Sequence, residues 1–430
     1  MYFETSEANI TNIGKEMYKW ASDLFPLNRS ITGQGNRDTL QYLKKILPDL
    51  KILNYKSGEK VFDWTIPDEW HIDEGYIEDE FGNKIIDFKT NNLHILGYSE
   101  PVDTWLTLDE LNNYLYSLPE QPNAIPYLTS YYKRTWGFCV THEQRLNLKD
   151  IKYHVVIKSN FFKGQLDYGE LIVKGKNKRE VLFSTYICHP SMANNELSGV
   201  VVTSALANYV RSLKDLNYTY RFLFIPETIG SIAYLSKNWK NMKENTLAGF
   251  VVTCVGDNNN YSFLPSRTGE TYADKVAKYA LNNYVKEYKD YSFLQRGSDE
   301  RQYCSPLIDL PVVSIMRSKY GTFPEYHTSL DNMDFISIKG LEGSYEIYIN
   351  IIKIIEINKI FKPLIYCEPQ LGKRGLYNIS SNDDADLIVN ILAYVDGYLD
   401  ILDLAIILNK DFFECYAVSE LLYTNQLIKV

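Results

Sequence analysis

Imidazoles and carboxylates follow several predicted strands in the middle of the chain, and their types point to metal chemistry. His189 follows the apolar run VLFSTYI, Glu227 follows YRFLFI, and His327 comes a loop after PVVSIM. Because ligands bind beyond the carboxyl ends of the strands in an open parallel sheet, these side chains are expected in one cleft. Two neutral imidazoles and a carboxylate can hold Zn²⁺ with one position open for water, while a nearby free carboxylate moves the proton.

The segments around these residues alternate between strand and helix patterns. Short β-branched and aromatic runs such as YRFLFI, GFVVTCV and PVVSIM are separated by helical patterns such as SGVVVTSALANYVRSL. Strands that are apolar throughout are typical of a parallel sheet covered by helices on both faces. The sequence therefore predicts an α/β core over residues 149–361, with the candidate site at one edge of its sheet.

The rest of the chain shows three other patterns. Residues 1–50 carry apolar residues at helical spacing in MYKWASDLF and RDTLQYLKKIL, which predict N-terminal helices of the core. Residues 51–148 hold short alternating segments and a hairpin-like FGN tripeptide, which predict a small inserted β-rich domain. Residues 362–430 predict three short helices followed by the terminal segment QLIKV.

Composition excludes several classes of protein. The 430 residues include 45 Lys and Arg against 54 Asp and Glu, a net charge of −9, which argues against broad binding to phosphate backbones or anionic membranes. No apolar run approaches the ~20 residues of a membrane helix, and the start MYFETSEANI is too polar for a signal peptide. The six cysteines are far apart with no CxxC pair, so a reducing cytoplasm is the expected setting.

Other chemistries find less support in the motifs. No GxGxxG follows a strand and no Walker-type GK[ST] occurs, so a phosphate-binding loop is not expected. Cys188 precedes His189 directly, but neighbours at a strand end point to opposite faces, which disfavours a cysteine–histidine nucleophile. The aromatic run YYKRTWGFCV could stack on carbohydrate, although packing against the core is its more common role.

Each candidate residue also has a structural alternative. A histidine in a globular protein is more often a structural hydrogen-bonding residue than a metal ligand, although two at strand ends shift that balance. Glu227 by itself could be an acidic residue that complements a helix N-terminus. Asp257, which precedes three asparagines, could simply form a turn.

The core motifs resemble those of the zinc-dependent aminopeptidases in the di-zinc exopeptidase superfamily. The matching segments are His189, Ser198-Gly199 at a helix start, Glu227-Thr228-Ile229-Gly230, Gly297-Ser298-Asp299 and His327-Thr328. The resemblance implies a mixed sheet between helices, with His189 and His327 as metal ligands and Glu227 as the general base.

Over nearly its whole length the chain resembles a narrower group of bacterial aminopeptidase-like proteins associated with polysaccharide biosynthesis. The motifs that carry this resemblance are LFPLNRSITG, DWTIPDEW, NLHILGYSEPV, IPYLTSYYKRTWGFC, CHPSMANNELSG and PEYHTS. In that group a small domain is inserted in the peptidase core and a winged-helix-like domain follows it. The resemblance implies the same arrangement here.

Four positions depart from the di-zinc pattern. Asn195 stands in place of the bridging aspartate, Thr228 in place of a ligand glutamate, Thr253 in place of a ligand aspartate, and Ser191 in place of the aspartate that orients the first histidine. An amide is a weaker ligand than a carboxylate. One Zn²⁺ is therefore expected rather than two.

The resemblance implies a specific set of ligands for a single zinc ion. His189, His327 and Asn195 are the expected ligands, with water completing the coordination. Glu196 is an alternative to Asn195 if the helix start rotates, and Asp257 is an alternative if its loop reaches inward.

Three further residues are candidates for gripping an anionic or sugar-like substrate: Arg29, Arg317 and Tyr326. For Arg29, a structural contact between the N-terminal helices and the core is an equal alternative.

The C-terminal winged-helix-like domain raises DNA binding as a rival function, but its charge disfavours this. Residues 381–430 contain nine acidic and two basic residues, a net of −7. The candidate recognition helix, residues 411–424, has no Lys or Arg to contact phosphates or base edges. Nucleic acid is not an expected partner, and protein contact or homo-oligomerisation fits this domain better.

The leading functional prediction is metal-dependent hydrolysis of an amide bond in a small peptide or an amino-sugar conjugate. Two alternatives remain open. The first is a degenerate, non-hydrolytic protein that binds a sugar or peptide in the same cleft, which Asn195 and Thr228 favour. The second is a regulatory or scaffold protein that acts through the C-terminal domain.

Overall fold

A computed structural model describes residues 7–376 and 382–430 of the chain. By its internal contacts the chain divides into two units. The first consists of residues up to 274 together with residues 287–346, and the second consists of residues 275–286 and 347–430. The first six residues of the predicted N-terminal helical stretch lie outside the described residues.

The described residues form eighteen strands and twelve α-helices. The strands are β1 (Lys51–Lys56), β2 (Lys60–Val61), β3 (Trp64–Thr65), β4 (Glu69–Asp79), β5 (Lys84–Asp87), β6 (Val102–Thr107), β7 (Leu115–Tyr116), β8 (Phe138–Cys139), β9 (Lys152–Phe162), β10 (Gln165–Val173), β11 (Glu180–Tyr186), β12 (Thr219–Ile225), β13 (Thr246–Val251), β14 (Tyr261–Leu264), β15 (Tyr288–Asp290), β16 (Val312–Met316), β17 (Lys362–Pro363) and β18 (Ile428–Lys429). The helices are α1 (Glu7–Leu24), α2 (Gln34–Ile46), α3 (Leu108–Asn112), α4 (His142–Leu146), α5 (Ser198–Ser212), α6 (Ile229–Asn245), α7 (Tyr272–Tyr284), α8 (Glu300–Tyr303), α9 (Ile338–Ile357), α10 (Asn382–Tyr394), α11 (Ile401–Leu408) and α12 (Phe412–Thr424).

An eight-stranded mixed sheet forms the centre of the first unit, in the order β1-β10-β12-β11-β13-β16-β14-β15. The four central strands β12, β11, β13 and β16 are parallel to one another, whereas β10 and β14 run antiparallel to their neighbours in this group. Each residue of β11 and β12 is buried, as their continuous apolar sequences predict. The parallel strands therefore end together at one edge of the sheet.

Aromatic side chains fix the packing of the central strands. Phe183 of β11 stacks on Phe222 of β12 and on Phe250 of β13, with ring centroids 5.4 and 5.2 Å apart. Such pairs contribute about 0.5–1.5 kcal/mol each beyond the apolar area that they bury. At the start of α5, a Cβ on Gly199 would collide with the carbonyl oxygen of Val252, so only glycine lets this helix approach the end of β13 so closely.

A second, four-stranded antiparallel sheet in the order β5-β4-β9-β6 forms the β-rich insertion. Its boundaries differ from those predicted. β1 lies inside the predicted insertion but pairs with β10 at the edge of the large sheet, and β9 lies inside the predicted core but occupies the middle of the small sheet. Both strands lie close to the predicted boundaries, and a strand pattern does not by itself show which sheet the strand joins.

The second unit contains the three helices predicted near the C-terminus. Asp400 caps α11 through a capping box with Asp403, and Asp411 caps α12 by accepting hydrogen bonds from the backbone N–H groups of Phe413 and Glu414. The terminal segment supplies β18, which pairs with β17, the strand that precedes the three helices in the chain. Within the described part of the chain, none of the helices is long and apolar enough to cross a membrane.

Candidate active site

Three side chains that the sequence singled out converge beyond the carboxyl ends of the parallel strands. His189 follows β11, Glu227 follows β12, and His327 lies in the loop after β16. The ring centroids of the two histidines are 5.3 Å apart, and Nε2 of His189 lies 3.7 Å from Oε2 of Glu227. All three line one cavity of about 410 Å³. The strand ends therefore bring two imidazoles and a carboxylate to one place.

A buried carboxylate holds the ring of His189. Nδ1 of His189 donates to Oε2 of Glu196 over 3.0 Å, and the same oxygen accepts hydrogen bonds from the backbone N–H groups of Cys188 and His189. The other oxygen of Glu196 accepts from Nε of Arg29, and both side chains of this ion pair are fully buried. Because an ionised carboxylate only accepts, His189 carries its proton on Nδ1 and keeps a lone pair on Nε2.

Two opposing effects set the pKa of His189. Burial lowers it, because a charged ring is disfavoured away from water, while the hydrogen bond and charge of Glu196 raise it. Together the hydrogen bond and the charge of Glu196 outweigh the effect of burial, so the pKa of His189 lies above its ordinary value. Zn²⁺ would compete with a proton for Nε2, and Glu196 would strengthen the binding of either.

Glu196 reaches His189 because the chain before α5 forms a single π-helical turn, Ala193–Leu197. The carboxylate of Asp331 fixes this turn by accepting from the backbone N–H groups of Asn194 and Asn195, over 2.6 and 2.9 Å. Burial raises the pKa of Asp331 to about 7. Single π-helical turns are rare and occur often at functional sites, where they redirect side chains.

His327 is held by stacking and by its backbone. Its ring stacks on that of Tyr326 with centroids 3.9 Å apart, and its backbone lies in the left-handed region at φ 55°. Burial and the nearby His189 lower the pKa of His327 to about 3, so its ring is neutral at pH 7. Nε2 of His327 is buried without a hydrogen-bond partner. A neutral, buried and unpartnered imidazole nitrogen is suited to bind a metal ion.

Glu227 occupies the turn between β12 and α6. Its backbone N–H donates to Sγ of Cys188 over 3.2 Å, and the next residue, Thr228, has a left-handed backbone at φ 64°. The side chain of Glu227 is 21% exposed and lines the cavity. Limited access to water raises its pKa, against the opposing charge of His189. A carboxylate with a raised pKa is a better proton acceptor at neutral pH.

Asn195 lies in a buried polar network below the histidines. Its Oδ1 accepts from the hydroxyl of Tyr186 over 2.9 Å, and its backbone carbonyl accepts from Oγ1 of Thr253 over 2.9 Å. Its Nδ2 is buried without a partner. Rotating the amide by half a turn would let the nitrogen donate to the Tyr186 oxygen and would free the oxygen for another ligand.

These observations test whether the residues present fit a zinc ion. The free Nε2 of His327 and the available Nε2 of His189 fit, and Asn195 fits in its rotated form. Cys188, His189 and Glu196 also place potential ligand atoms within 4.8 Å of one another. That second group already has hydrogen-bond partners, and burial raises the pKa of the Cys188 thiol, which keeps it protonated. The better-fitting pair of ligands is therefore His189 with His327.

Comparison with known proteins identifies the family and the fold of the chain. Residues 18–358 match the family model of a domain of unknown function, DUF4910. The chain belongs to this family. Residues 359–430 of the DUF4910 protein match a winged helix-turn-helix model, which confirms the predicted C-terminal fold.

The DUF4910 chain has a relative in Clostridium acetobutylicum, named as a proposed polysaccharide biosynthesis protein with an aminopeptidase-like domain. The two are 44% identical over 428 residues, which is 98% of each chain. The crystal structure of a proposed peptidase from the same species has a TM-score of 0.93 at 43% identity and covers 98% of this chain and 97% of that chain.

A zinc aminopeptidase from Bacillus subtilis has a TM-score of 0.59 at 13% identity and covers 80% of this chain and 94% of its own. A peptidase M28 precursor from Shewanella amazonensis has a TM-score of 0.55 at 11% identity, covering 85% and 99%. At these identities the likeness shows the fold alone. The α/β fold predicted from the motifs is confirmed as that of the zinc aminopeptidases.

The three predicted substrate contacts do not line the cavity. Arg29 is fully buried in its ion pair with Glu196, which matches the structural alternative. Arg317 packs over the ring of Tyr261 at 3.9 Å and donates to backbone carbonyls. Tyr326 lies behind His327 as its stacking partner. These side chains already have partners in the fold, so their placement does not favour a direct role in binding substrate.

The two alternative ligands are likewise engaged in other contacts. Glu196 lies beside Nδ1 of His189, on the side of the ring away from Glu227. The carboxylate of Asp257 accepts from the side chain of Asn194, from the backbone N–H groups of Asn259 and Ser318, and from the Ser318 hydroxyl. Asp257 therefore forms a structured turn, as its asparagine-rich sequence allowed.

The sequence prediction missed the residues that the insertion contributes to the cavity. Its wall includes Tyr127, Leu128, Thr129, Tyr131 and Tyr132, all from the segment IPYLTSYY. The ring of Tyr127 lies edge to face with both histidines, its centroid 5.2 Å from that of His189 and 5.1 Å from that of His327. The motif was visible in the sequence, but its pairing with the His327 loop was not.

The sequence prediction assigned no role to two acidic residues near the site, although Asp299 stands in one of the matching segments. Asp331 completes the pattern His327-Thr328-x-x-Asp331, which could have identified it. Asp299 accepts from the backbone N–H of Thr228 over 2.7 Å, and burial together with the charge of Glu227 raises its pKa to about 7. Both carboxylates hold backbone next to the site.

Proposed function

We propose that this DUF4910 protein is a metal-dependent hydrolase that cleaves an amide bond in a small peptide or an amino-sugar conjugate. One Zn²⁺ would be held by His189 and His327, with Asn195 as a third ligand in its rotated form. The observation that carries this proposal is the juxtaposition of two imidazoles with available Nε2 atoms beside Glu227 in a single cavity. The aminopeptidase-like domain named for the Clostridium relative supports the same reaction class.

In this proposal the protein positions a water molecule and moves its proton. Zn²⁺ bound by the histidines would supply Lewis-acid polarisation of the amide carbonyl and of the attacking water. Glu227 accepts the proton of the water as it attacks the carbonyl carbon and then delivers it to the leaving nitrogen. The raised pKa of Glu227 suits both steps, because the group must take up a proton and release it. Glu196 keeps His189 in the tautomer that ligation needs.

The test measures zinc content and turnover separately. Hydrolysis of an aminoacyl p-nitroanilide with added Zn²⁺ should fall about 10²–10⁴-fold in Glu227→Gln, which should retain its zinc. The double variant His189→Ala, His327→Ala should lose bound zinc as measured by metal analysis. Glu80→Gln, an exposed carboxylate on the insertion, is the matched control and should change neither value. Equal zinc content in the double variant and the parent would contradict the ligand assignment.

A second candidate is a non-hydrolytic protein that binds its ligand in the same cavity. It is favoured by Thr228, whose hydroxyl accepts a hydrogen bond from Arg301 where the resemblance places a metal-binding glutamate. This candidate predicts that ligand binds without turnover and that Glu227→Gln leaves affinity unchanged. A measurable rate that depends on Glu227 would exclude it.

For the second unit, the open question is which partner it binds. Its winged-helix match would be compatible with DNA binding, but α12 contains Glu414 and Glu420 and no basic residue. We expect this unit to contact protein, either a second copy of the chain or another partner. Tight binding to random-sequence DNA in an electrophoretic shift at low salt would contradict this.

A further inference from the structure

The cavity at the histidines shares two aromatic residues of its lining with a second cavity. Trp64 and Tyr132 line both cavities. The second cavity has a volume of about 610 Å³ and is also lined by Asp63, Asp68 and Lys163. A substrate whose reacting bond lies at the histidines could therefore contact the same aromatic pair with its far end.

The two aromatic rings are held at the surface by the fold of the insertion. Trp64 belongs to the two-stranded ribbon of β2 and β3, which anchors itself through the buried side chains of Val61 and Ile66. Trp64 is nonetheless 38% exposed and Tyr132 is 61% exposed. Their rings lie edge to face with centroids 5.5 Å apart. Exposed aromatic residues in a cleft commonly mark a binding surface.

Charged groups lie next to this aromatic pair. Nζ of Lys163 contacts Oδ1 of Asp68 at 2.5 Å, and the side chains of these two residues are 76% and 31% exposed. Asp63 is exposed beside Trp64 in the chain. The second cavity thus combines apolar ring surfaces with carboxylates and an ammonium group, all open to solvent.

We propose that this second cavity binds a sugar ring of the substrate, with Trp64 and Tyr132 as its stacking surface. A pyranose has apolar C–H faces, which match the aromatic rings, and a hydroxyl rim, which matches Asp63, Asp68 and Lys163. The inference rests on the proposed function, and it narrows the substrate to an amide in which one side carries a sugar.

A peptide chain fits the lining of the second cavity less well than a sugar does. An apolar side chain would contact the rings but would form no hydrogen bond with Asp63, Asp68 or Lys163. A basic side chain would pair with the aspartates but would meet the charge of Lys163. Neutral hydroxyl groups can donate to the carboxylates and accept from the lysine at the same time.

The test measures binding of a defined sugar to the full-length chain. Calorimetric titration of the Glu227→Gln protein with the trisaccharide of N-acetylglucosamine should show binding in the millimolar range or tighter. Trp64→Ala should weaken that affinity about ten-fold and Tyr132→Ala severalfold, because each removes a stacking surface. Trp105→Ala is the matched control, since Trp105 is 51% exposed on the four-stranded sheet and lines neither cavity. Circular dichroism would confirm that each variant is folded.

Three outcomes would overturn the sugar site. They are no binding of the trisaccharide at about 10 mM, equal affinity in the parent and Trp64→Ala, or tighter binding of trileucine or trilysine that depends on Trp64. The hydrolysis test is independent of this one. Trisaccharide binding that depends on Trp64, without any amide turnover, would support the sugar site while refuting the proposed reaction. Amide turnover without trisaccharide binding would refute the sugar site alone.

Discussion

The two sides of the candidate site are built in different ways. On the core side, His189 is fixed by Glu196 and Arg29, whose side chains are fully buried and joined by charged hydrogen bonds. On the insertion side, the cavity wall consists of aromatic residues such as Trp64 and Tyr132, which are partly exposed. A buried charge network tolerates little change because each lost partner leaves an unsatisfied charge, whereas an exposed wall can vary at small cost to stability. We infer that the core side sets the chemistry and the insertion side sets the substrate.

The largest expected effect tests whether the core side depends on its buried charges. Arg29→Ala should lower the free energy of unfolding by about 3–5 kcal/mol, because Glu196 would remain buried without its cationic partner. Urea denaturation followed by circular dichroism measures this. Arg267→Ala is the control, since its ion pair with Asp309 is exposed by 39% and 35% and should contribute far less to stability. Equal losses of unfolding free energy in the two variants would contradict the proposed difference between buried and exposed charge pairs.

The sequence alone could predict part of this contrast. His189, Glu227 and His327 were found because each follows a strongly apolar run, and strand ends in a parallel sheet meet at one edge. The fold of the core was predicted for the same reason. Periodicity and spacing report local structure well, and here the residues that matter most lie directly at its boundaries.

The partners of these residues could not be predicted from spacing. Arg29 and Glu196 are 167 positions apart and meet only through the packing of the N-terminal segment on the core. Glu196 also depends on the π-helical turn Ala193–Leu197, because an ordinary α-helical start would point it elsewhere. The sequence prediction therefore treated Glu196 as an alternative ligand. It gave Arg29 two equal roles, a substrate contact or a structural contact with the core, without identifying Glu196 as its partner.

The contacts between the insertion and the histidines could not be predicted from local patterns either. Tyr127 reaches the histidines because its backbone N–H donates to the carbonyl of His327, and Pro126 forms an isolated β-bridge with Thr328. These contacts join segments about two hundred residues apart, and no local pattern marks them. The segment was predicted to pack against the core, whereas it also provides the wall of the cavity.

A smaller effect is expected on zinc affinity. It tests whether Glu196 helps His189 to bind the metal or only stabilises the fold. Glu196→Gln keeps the shape but removes the charge and weakens acceptance from Nδ1, so zinc affinity should fall about 10–100-fold. Competition with a chromophoric chelator measures this directly. Asp167→Asn is the matched control, because Asp167 is a buried carboxylate that pairs with Arg37 and lies outside the cavity. Unchanged zinc affinity in Glu196→Gln would show that His189 does not need this partner.

The smallest expected effect concerns a charge cluster on the insertion itself, where exposure should weaken the contribution of each pair. His154 donates to Glu78 over 2.8 Å and to Asp103 over 2.7 Å, and its ring stacks on Trp105. The hydrogen bond to Glu78 is the largest of the effects that raise the pKa of His154 above its ordinary value. The Asp103 side chain is 73% exposed, which screens its charge.

The sign of the pH dependence follows from that raised pKa. The folded state binds the proton of His154 more tightly than the unfolded state, so this stabilisation is complete below the unfolded pKa of about 6.5. It is lost as the pH rises through the higher folded pKa. His154→Gln should therefore destabilise the protein more at pH 5.5 than at pH 9 in urea denaturation. Lys158→Gln removes a positive charge from a neighbouring ion pair on the same sheet and should show the same loss at both values. A larger loss for His154→Gln at pH 9 would mean that the neutral ring is the form the insertion favours, and the charge cluster would then play no part in its stability.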